Sequence, residues 1–252
     1  MRFEREKTIR AGERPVIALA GMPNVGKSTL FNSLTGLRRH TGNWSGKTVG
    51  VGLGLCRGRE YLIADLPGTY SLQGRSEEER LAGAFVRSGQ AALTVVVCDG
   101  GCLQRGVALA LQVMEHSGRL LLCVNLLDEA RRKGLQLDLA LLEKRLGVPV
   151  IGMVARKKDS RERFIQKVDE ILEKETPGAP SCPPAGRPQK ERAAEAFPRG
   201  GAAGDEEEKE KAAYAQAEEI CRDVVKPLAG RKERPAWGAA DRPLTSRAFG
   251  YP

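Results

Sequence analysis

Long hydrophobic runs are absent from this sequence of 252 residues. No stretch of about 18 apolar residues occurs, so we expect no membrane-spanning helix within it. The N-terminal residues, Met1-Arg-Phe-Glu-Arg-Glu-Lys7, are charged and have no apolar centre, which is not the pattern of a secretory signal peptide. The sequence by itself therefore indicates a soluble protein.

Disulfide-like cysteine spacing is also absent, although the sequence contains six cysteines. Cys98 and Cys123 lie inside apolar runs that are typical of buried strands, which favours a reducing compartment. Cys98 and Cys102 are near each other, but their spacing and the lack of nearby histidines disfavour a metal site. Acidic residues are fewer than basic ones, and the net charge is +9. No basic arm stands out, so we expect no nucleic-acid partner.

The clearest motif is Gly21-Met-Pro-Asn-Val-Gly-Lys-Ser28, which matches G-x-x-x-x-G-K-[ST]. The apolar run 15–20 precedes it and a helical pattern follows it, so strand, loop and helix occur in the order that this phosphate-binding motif requires. Lys27 is predicted to reach the β and γ phosphates, and Ser28 to give its hydroxyl to Mg²⁺. The predicted nucleotide-binding residues of the loop are Gly21, Asn24, Val25, Gly26, Lys27, Ser28 and Thr29.

Two further elements are predicted to meet the metal and the γ phosphate. Asp65-Leu-Pro-Gly68 follows a strand pattern; Asp65 would hold Mg²⁺ through water, and the Gly68 N–H would meet the γ phosphate. Thr48 lies in a polar, glycine-broken stretch and is the candidate second hydroxyl for Mg²⁺ and sensor of the γ phosphate. We assign Asn24, Lys27, Thr48 and Gly68 to catalysis, and Ser28, Thr48 and Asp65 to Mg²⁺.

Base recognition is predicted for two loops nearer the C-terminus. Asn125-Leu-Leu-Asp128 stands where GTPases carry Asn-Lys-x-Asp, and Asp128 would accept hydrogen bonds from the guanine N1–H and exocyclic amine. Leu126 replaces the usual lysine, and a purely helix-capping Asp128 is the alternative. Ala155 and Arg156 fall where guanine O6 usually meets a backbone N–H, although Val154 replaces the usual serine.

These patterns predict an α/β P-loop domain of Ras-like type, with a mostly parallel six-stranded sheet and helices on both faces. We expect an N-terminal extension at 1–14 and the G domain at 15–175. The range 176–211 has a linker composition and no apolar periodicity, so we expect it to be disordered or weakly ordered. The range 212–252 would hold one short, degenerate helical segment and a membrane-proximal tail.

Several segments together resemble the cytosolic GTPase portion of the FeoB family of ferrous-iron transporters. These segments are Gly21–Asn32, Leu34-Thr-Gly36, Gly42-Asn-Trp-Ser-Gly46, Asp65–Leu72 and Asp241–Pro252. Asn43-Trp44 is the most discriminating of them, because generic GTPases have no need of it. The last segment is similar to the one that leads into the first membrane helix of that family.

The resemblance implies GTP as the substrate, Mg²⁺ and K⁺ as cofactors, and a role in ferrous-iron uptake. Asn24 matches the family asparagine that holds an activating K⁺, and Thr69 stands where Ras-like enzymes place a water-orienting glutamine, so slow hydrolysis is expected. The implied partners are GTP and GDP, a membrane-embedded iron-transport domain and, weakly, an anionic membrane surface at the cytoplasmic face. Two alternatives are a soluble GTPase that assists RNA or ribosome maturation, and a nucleotide sensor with little turnover.

Overall fold

The computed structural model describes residues 14–37, 50–74, 76–173 and 203–228 of the chain. Its strands are β1 Val16–Gly21, β2 Gly52–Leu55, β3 Leu62–Asp65, β4 Leu93–Asp99, β5 Leu120–Asn125, β6 Leu135–Leu137, β7 Val150–Gly152 and β8 Val225–Pro227. Its helices are α1 Lys27–Thr35, α2 Glu77–Arg87, α3 Leu103–Met114, α4 Leu127–Arg132, α5 Leu139–Leu146, α6 Lys158–Glu173 and α7 Ala203–Val224. Thr48 and the tail from 229 lie outside the described residues.

The expected six-stranded, mostly parallel sheet is confirmed. Its strand order is β2-β3-β1-β4-β5-β7, and only β2 runs antiparallel to its neighbour. The chain leaves β1 towards one edge and later returns to the other side of it, so β1 is the point at which the strand order reverses. Ligands of such sheets bind at the carboxyl ends of the strands beside this point. The phosphate-loop sequence begins there, at Gly21.

Both faces of the sheet are covered, as the apolar strands predict. Along β4, Val95 and Val97 pack into one cluster of buried residues, whereas Val96 and Cys98 pack into the other. This alternation follows from the two-residue period of a strand. Helices α1 and α6 contribute Phe31 and Phe164, among others, to the first cluster, and α2, α3, α5 and α7 contribute to the second.

The C-terminal helix is longer than the sequence suggested. Residues 203–211, which we expected to belong to a disordered or weakly ordered linker, form the first part of α7. Glutamate and lysine are good helix formers, and Glu207 pairs with Lys211 one turn later at 3.1 Å. Residues 207–209 of this extension are exposed and need no apolar face, so apolar periodicity could not predict the extension. Farther along, Ala217 and Ile220 are buried, and α7 packs against α3.

A second, two-stranded sheet was not expected. Strand β8 pairs antiparallel with β6, Leu228 donates its N–H to the Gly134 carbonyl at 2.7 Å, and Asp138 donates to the Val224 carbonyl at 3.0 Å. This pairing attaches the end of the described C-terminal segment to the chain directly after α4. The C-terminal segment is therefore held at two places: α7 packs against α3, and β8 pairs with β6.

Most cysteines of the described ranges are buried. Cys56, Cys98, Cys102, Cys123 and Cys221 are all free thiols. Burial raises the pKa of the Cys98 and Cys123 thiols, which keeps them protonated and poorly reactive.

Candidate functional site

The phosphate-loop sequence is held against the ends of two neighbouring strands. A side-chain carbon at Gly21 would lie 2.4 Å from the Val97 carbonyl oxygen, and one at Gly26 would lie 2.3 Å from Asn125 Nδ2. Gly26 also has a φ of +87°, and Asn24 has a φ of 64°. The loop therefore needs glycine at both positions, and its backbone takes a tight path that leaves the Asn24 side chain exposed.

Lys27, Ser28 and Asp65 form one polar cluster directly after this loop. Lys27 Nζ donates to Asp65 Oδ1 at 2.7 Å and also to the Leu66 carbonyl, and Ser28 Oγ donates to Asp65 Oδ2 at 3.0 Å. Lys27 and Asp65 are 7% and 9% exposed, so the ion pair is largely shielded from water. The cluster brings together the lysine predicted for phosphate and two of the residues predicted for Mg²⁺. The third, Thr48, lies outside the described residues.

The donor set of this cluster fits Mg²⁺. The ion prefers oxygen ligands, is usually held by one or two protein groups, and completes its shell with water and phosphate oxygens. A serine hydroxyl and a carboxylate 3.0 Å apart meet that requirement at Ser28 and Asp65. Lys27 would have to leave Asp65 to reach a phosphate. The positive charge of Mg²⁺ would then replace that of Lys27 beside Asp65, and the phosphate would become the partner of Lys27.

The Asp-x-x-Gly segment crosses directly beside the phosphate loop. The Thr69 N–H donates to the Gly21 carbonyl at 3.1 Å, and a side-chain carbon at Gly68 would lie 2.9 Å from Pro23 Cγ. Gly68 is thus placed where its neighbours leave room for hydrogen alone. Thr69 is fully buried, and its hydroxyl donates to the Ser71 carbonyl.

Asn125 ties three loops together. Its Nδ2 donates to the Val25 carbonyl at 2.9 Å, and its Oδ1 accepts from the Ala155 N–H at 3.0 Å. The side chain is only 1% exposed, so both bonds are made away from water. The sequence predicted a base-contacting asparagine; in the structure both ends of its amide bond the protein. Contact with a base remains a prediction, and for Ala155 it requires that the N–H be shared with, or released by, Asn125.

Asp128 carries an unsatisfied acceptor. Its Oδ1 is buried and has no hydrogen-bond partner among the residues that the structure describes, while its Oδ2 lies 3.6 Å from Arg132 Nη2. Leu126, with a φ of 58°, occupies the N-cap position of α4, and Asp128 lies in the first helical turn. The structure therefore does not support the alternative that Asp128 serves as a helix cap. Next to it, Glu129 Oε1 lies 3.5 Å from Arg156 Nη2.

Sequence reasoning missed two residues near the site. Ser160 is 3% exposed and accepts from the Val154 N–H at 3.4 Å, so a hydroxyl from α6 supports the loop in which valine replaces serine. Gln112, on α3, accepts hydrogen bonds from the segment that follows Gly68. Its only signal in the sequence is a single amide side chain on an otherwise apolar helix face.

The geometry defines the class of protein. A glycine-rich loop at the switch point, with its lysine and serine beside the aspartate of an adjacent strand, is the arrangement of a P-loop domain of the Ras-like G-domain type.

Comparison with known proteins identifies the family. The sequence profile described as "Ferrous iron transport protein B" matches residues 15–168, more than half of the chain, and the chain belongs to this family. The chain is 38% identical over 159 residues to the Fe(2+) transporter FeoB of Helicobacter pylori and 35% identical over 159 residues to that of Campylobacter jejuni. Each match covers 62% of this chain but only 25% and 26% of those relatives. The chain thus spans about a quarter of their length.

Solved structures agree in fold. The cytosolic domain of T. maritima FeoB in its GMPPNP form superposes with a TM-score of 0.68 at 25% identity, covering 84% of this chain and 99% of that one. The FeoB G-domain from Methanococcus jannaschii gives a TM-score of 0.54 at 37% identity, over 64% of this chain and 99% of that one. Within the ranges that the structure describes, no helix is both long enough and apolar enough to cross a bilayer.

Proposed function

We propose that this chain binds GTP and GDP together with Mg²⁺, hydrolyses GTP slowly, and thereby regulates ferrous-iron uptake by a membrane-embedded transport part. The observation that carries the guanine assignment is the buried Oδ1 of Asp128, which has no hydrogen-bond partner among the described residues. A buried acceptor without a donor costs about 1–3 kcal/mol, so a ligand that supplies N–H groups is favoured there. Guanine offers two such groups side by side, and adenine does not.

Phosphate binding is assigned to the loop and its lysine. The backbone N–H groups of Gly21–Ser28 would surround the phosphates, and Lys27 would exchange Asp65 for phosphate oxygens. Ser28 and Asp65 would hold Mg²⁺, which when bound offsets negative charge on the phosphates. In hydrolysis, a water oxygen attacks the γ phosphorus, the bond to the bridging oxygen breaks, and GDP and inorganic phosphate form.

Slow turnover is supported by the state of Thr69. This residue occupies the position from which Ras-like enzymes orient the attacking water, but its buried hydroxyl is already bonded to the Ser71 carbonyl. Water must then be oriented by other groups, and the exposed Asn24 with a bound K⁺ is our candidate for stabilising charge in the transition state. The same observation favours the second candidate function, a nucleotide sensor with little turnover.

Phosphate release from GTP tests the proposal and separates its two forms. The purified chain with Mg²⁺ should release phosphate slowly, and Lys27→Ala should abolish release, whereas Lys144→Ala, at an exposed lysine of α5, should not. Tight binding of GTP without any release would favour the sensor. Failure to bind either GTP or GDP would reject both.

Attachment to the transporter is proposed from family membership. The matched relatives are named as Fe(2+) transporters, and this chain covers about a quarter of them. We place the chain at the cytoplasmic membrane face, with a weak electrostatic contribution from basic residues such as Lys226, which is exposed. Partial sedimentation with anionic vesicles that salt reverses would agree with this, and salt-resistant sedimentation would not.

A further inference from the structure

The Gln112 side chain, on α3, holds the segment that follows Gly68, residues 69–72, through two hydrogen bonds. The Ser71 hydroxyl donates to Gln112 Oε1 at 3.1 Å, and the Leu72 N–H donates to the same oxygen at 3.0 Å. Gln112 is 8% exposed, and the adjacent Val113 on α3 is fully buried. Two donors from one segment thus converge on one acceptor inside the protein.

The orientation of this amide is determined by its partners. Gln112 Nε2 is buried and has no hydrogen-bond partner within the described ranges. Exchanging the two amide atoms would turn Nε2 towards the Leu72 N–H, which is itself a donor, so the oxygen must face the segment. Packing alone does not account for a buried amide with half of its bonding capacity unused, because an apolar side chain would fill the same space without that cost.

The fastened segment also touches the phosphate loop. Thr69 bonds the Gly21 carbonyl through its N–H, and Gly68 lies against Pro23. A shift of Ser71 and Leu72 away from α3 would therefore displace the backbone that carries the Gly68 N–H. The Leu72 carbonyl accepts from Arg87 Nη1 of α2 at 3.0 Å, so α2 provides a separate contact that a loss of Gln112 would leave in place.

We propose that Gln112 is a positioning residue, which acts through Ser71 and Leu72 to hold the Gly68 N–H at the distance from the phosphate loop that hydrolysis requires. Its hydrogen bonds go to the segment itself and not to the phosphate loop or to the cluster of Lys27, Ser28 and Asp65, so we expect it to affect turnover and not affinity for GDP. Because α7 packs on the same helix, α3 also gives the C-terminal segment a physical connection to the segment that Gln112 holds. The effect on turnover rests on the proposed GTPase function, whereas the two hydrogen bonds from Ser71 and Leu72 to Gln112 do not depend on it.

Three variants separate the acceptor oxygen from the remainder of the side chain. Gln112→Leu removes the acceptor at similar volume, Gln112→Glu keeps an oxygen facing Ser71 and Leu72, and Gln104→Leu is the control at a half-buried glutamine of the same helix. Amide hydrogen exchange at Leu72, the Kd for GDP, and kcat and KM for GTP are measured for each. Ser71→Ala removes one of the two bonds from the segment's side and replaces Gln112→Leu if that variant does not fold.

Gln112→Leu should raise the exchange rate at Leu72 by about tenfold and lower kcat by a similar factor, with the Kd for GDP within about twofold. In Gln112→Glu, the exchange rate at Leu72 and kcat should both lie close to those of the unmodified protein. Gln104→Leu should resemble the unmodified protein. Unchanged exchange in Gln112→Leu, or equal impairment of the Leu and Glu variants, would overturn the proposal. If the unmodified protein does not hydrolyse GTP, the proposed function fails, but the exchange rates still decide whether Gln112 holds the segment.

Discussion

The backbone N–H of Ala155 donates a 3.0 Å hydrogen bond to Oδ1 of Asn125, at the point where two neighbouring parallel strands end. The other end of the same amide donates to Val25. One buried side chain therefore links the phosphate loop to both loops that are predicted to recognise the base. Its removal should affect the whole site together.

Asn125→Ala should lower the free energy of unfolding by about 1–3 kcal/mol, because the Val25 carbonyl and the Ala155 N–H lose their partner in a buried place. It should also weaken GDP binding. Urea denaturation and nucleotide titration measure the two effects. Asn125→Asp keeps the acceptor for Ala155 and should retain part of the stability. Full stability and affinity in the alanine variant would show that the link is dispensable.

Ser28→Ala should raise the Mg²⁺ concentration needed for half-maximal GTP binding, because the hydroxyl beside Asp65 is lost. Ser33→Ala is the matched control: it lies on the same helix, and its hydroxyl bonds the Leu30 carbonyl. Titration of nucleotide binding with Mg²⁺ distinguishes the two variants. An identical Mg²⁺ requirement in both would remove Ser28 from the metal site.

Turnover in KCl should exceed turnover in NaCl if Asn24 holds K⁺. Asn24→Ala should abolish that difference and leave GDP binding nearly intact, because the exposed side chain makes no part of the buried cluster. Steady-state phosphate release at equal ionic strength provides the comparison. Equal rates in the two salts would reject the proposed K⁺ role of Asn24.

Ile220→Ala should destabilise the protein by about 2–5 kcal/mol, because this side chain is 6% exposed in the core cluster that α7 shares with α3. Gln216→Ala, at an exposed position of the same helix, should change stability little. Chemical denaturation of both variants gives the difference. A loss below about 0.5 kcal/mol for Ile220→Ala would indicate that α7 is only loosely attached.

The elements that the sequence predicted well are those encoded by contiguous patterns. The sheet has the six mostly parallel strands that the sequence predicted, and Lys27, Ser28 and Asp65 come together as their motifs required. A phosphate loop is recognisable because its glycines, lysine and serine are adjacent and serve one local geometry.

What the sequence did not predict depends on distant contacts. Strands β6 and β8 have three residues each, which is too short to show an alternation of apolar and polar side chains. They are also about 90 residues apart in the sequence, so no local pattern indicates their pairing. The role of Gln112 becomes visible only when the segment that lies against α3 is known. Similarly, α7 begins earlier than expected because its first part is rich in glutamate and lysine, which favour a helix without forming an apolar pattern.

The central claim is that Asp128 selects guanine, and exchanging its carboxylate for an amide tests it most directly. An aspartate accepts from both guanine N–H groups, whereas asparagine can donate one bond and therefore suits xanthine, which has an oxygen in place of the exocyclic amine. Competition titrations against a fluorescent guanine nucleotide, with GTP, XTP and ATP, should show that the unmodified protein prefers GTP by several orders of magnitude. Asp128→Asn should bind XTP better than GTP, with its thermal stability unchanged. Equal displacement by ATP in the unmodified protein, or an unaltered preference for GTP in Asp128→Asn, would contradict the account.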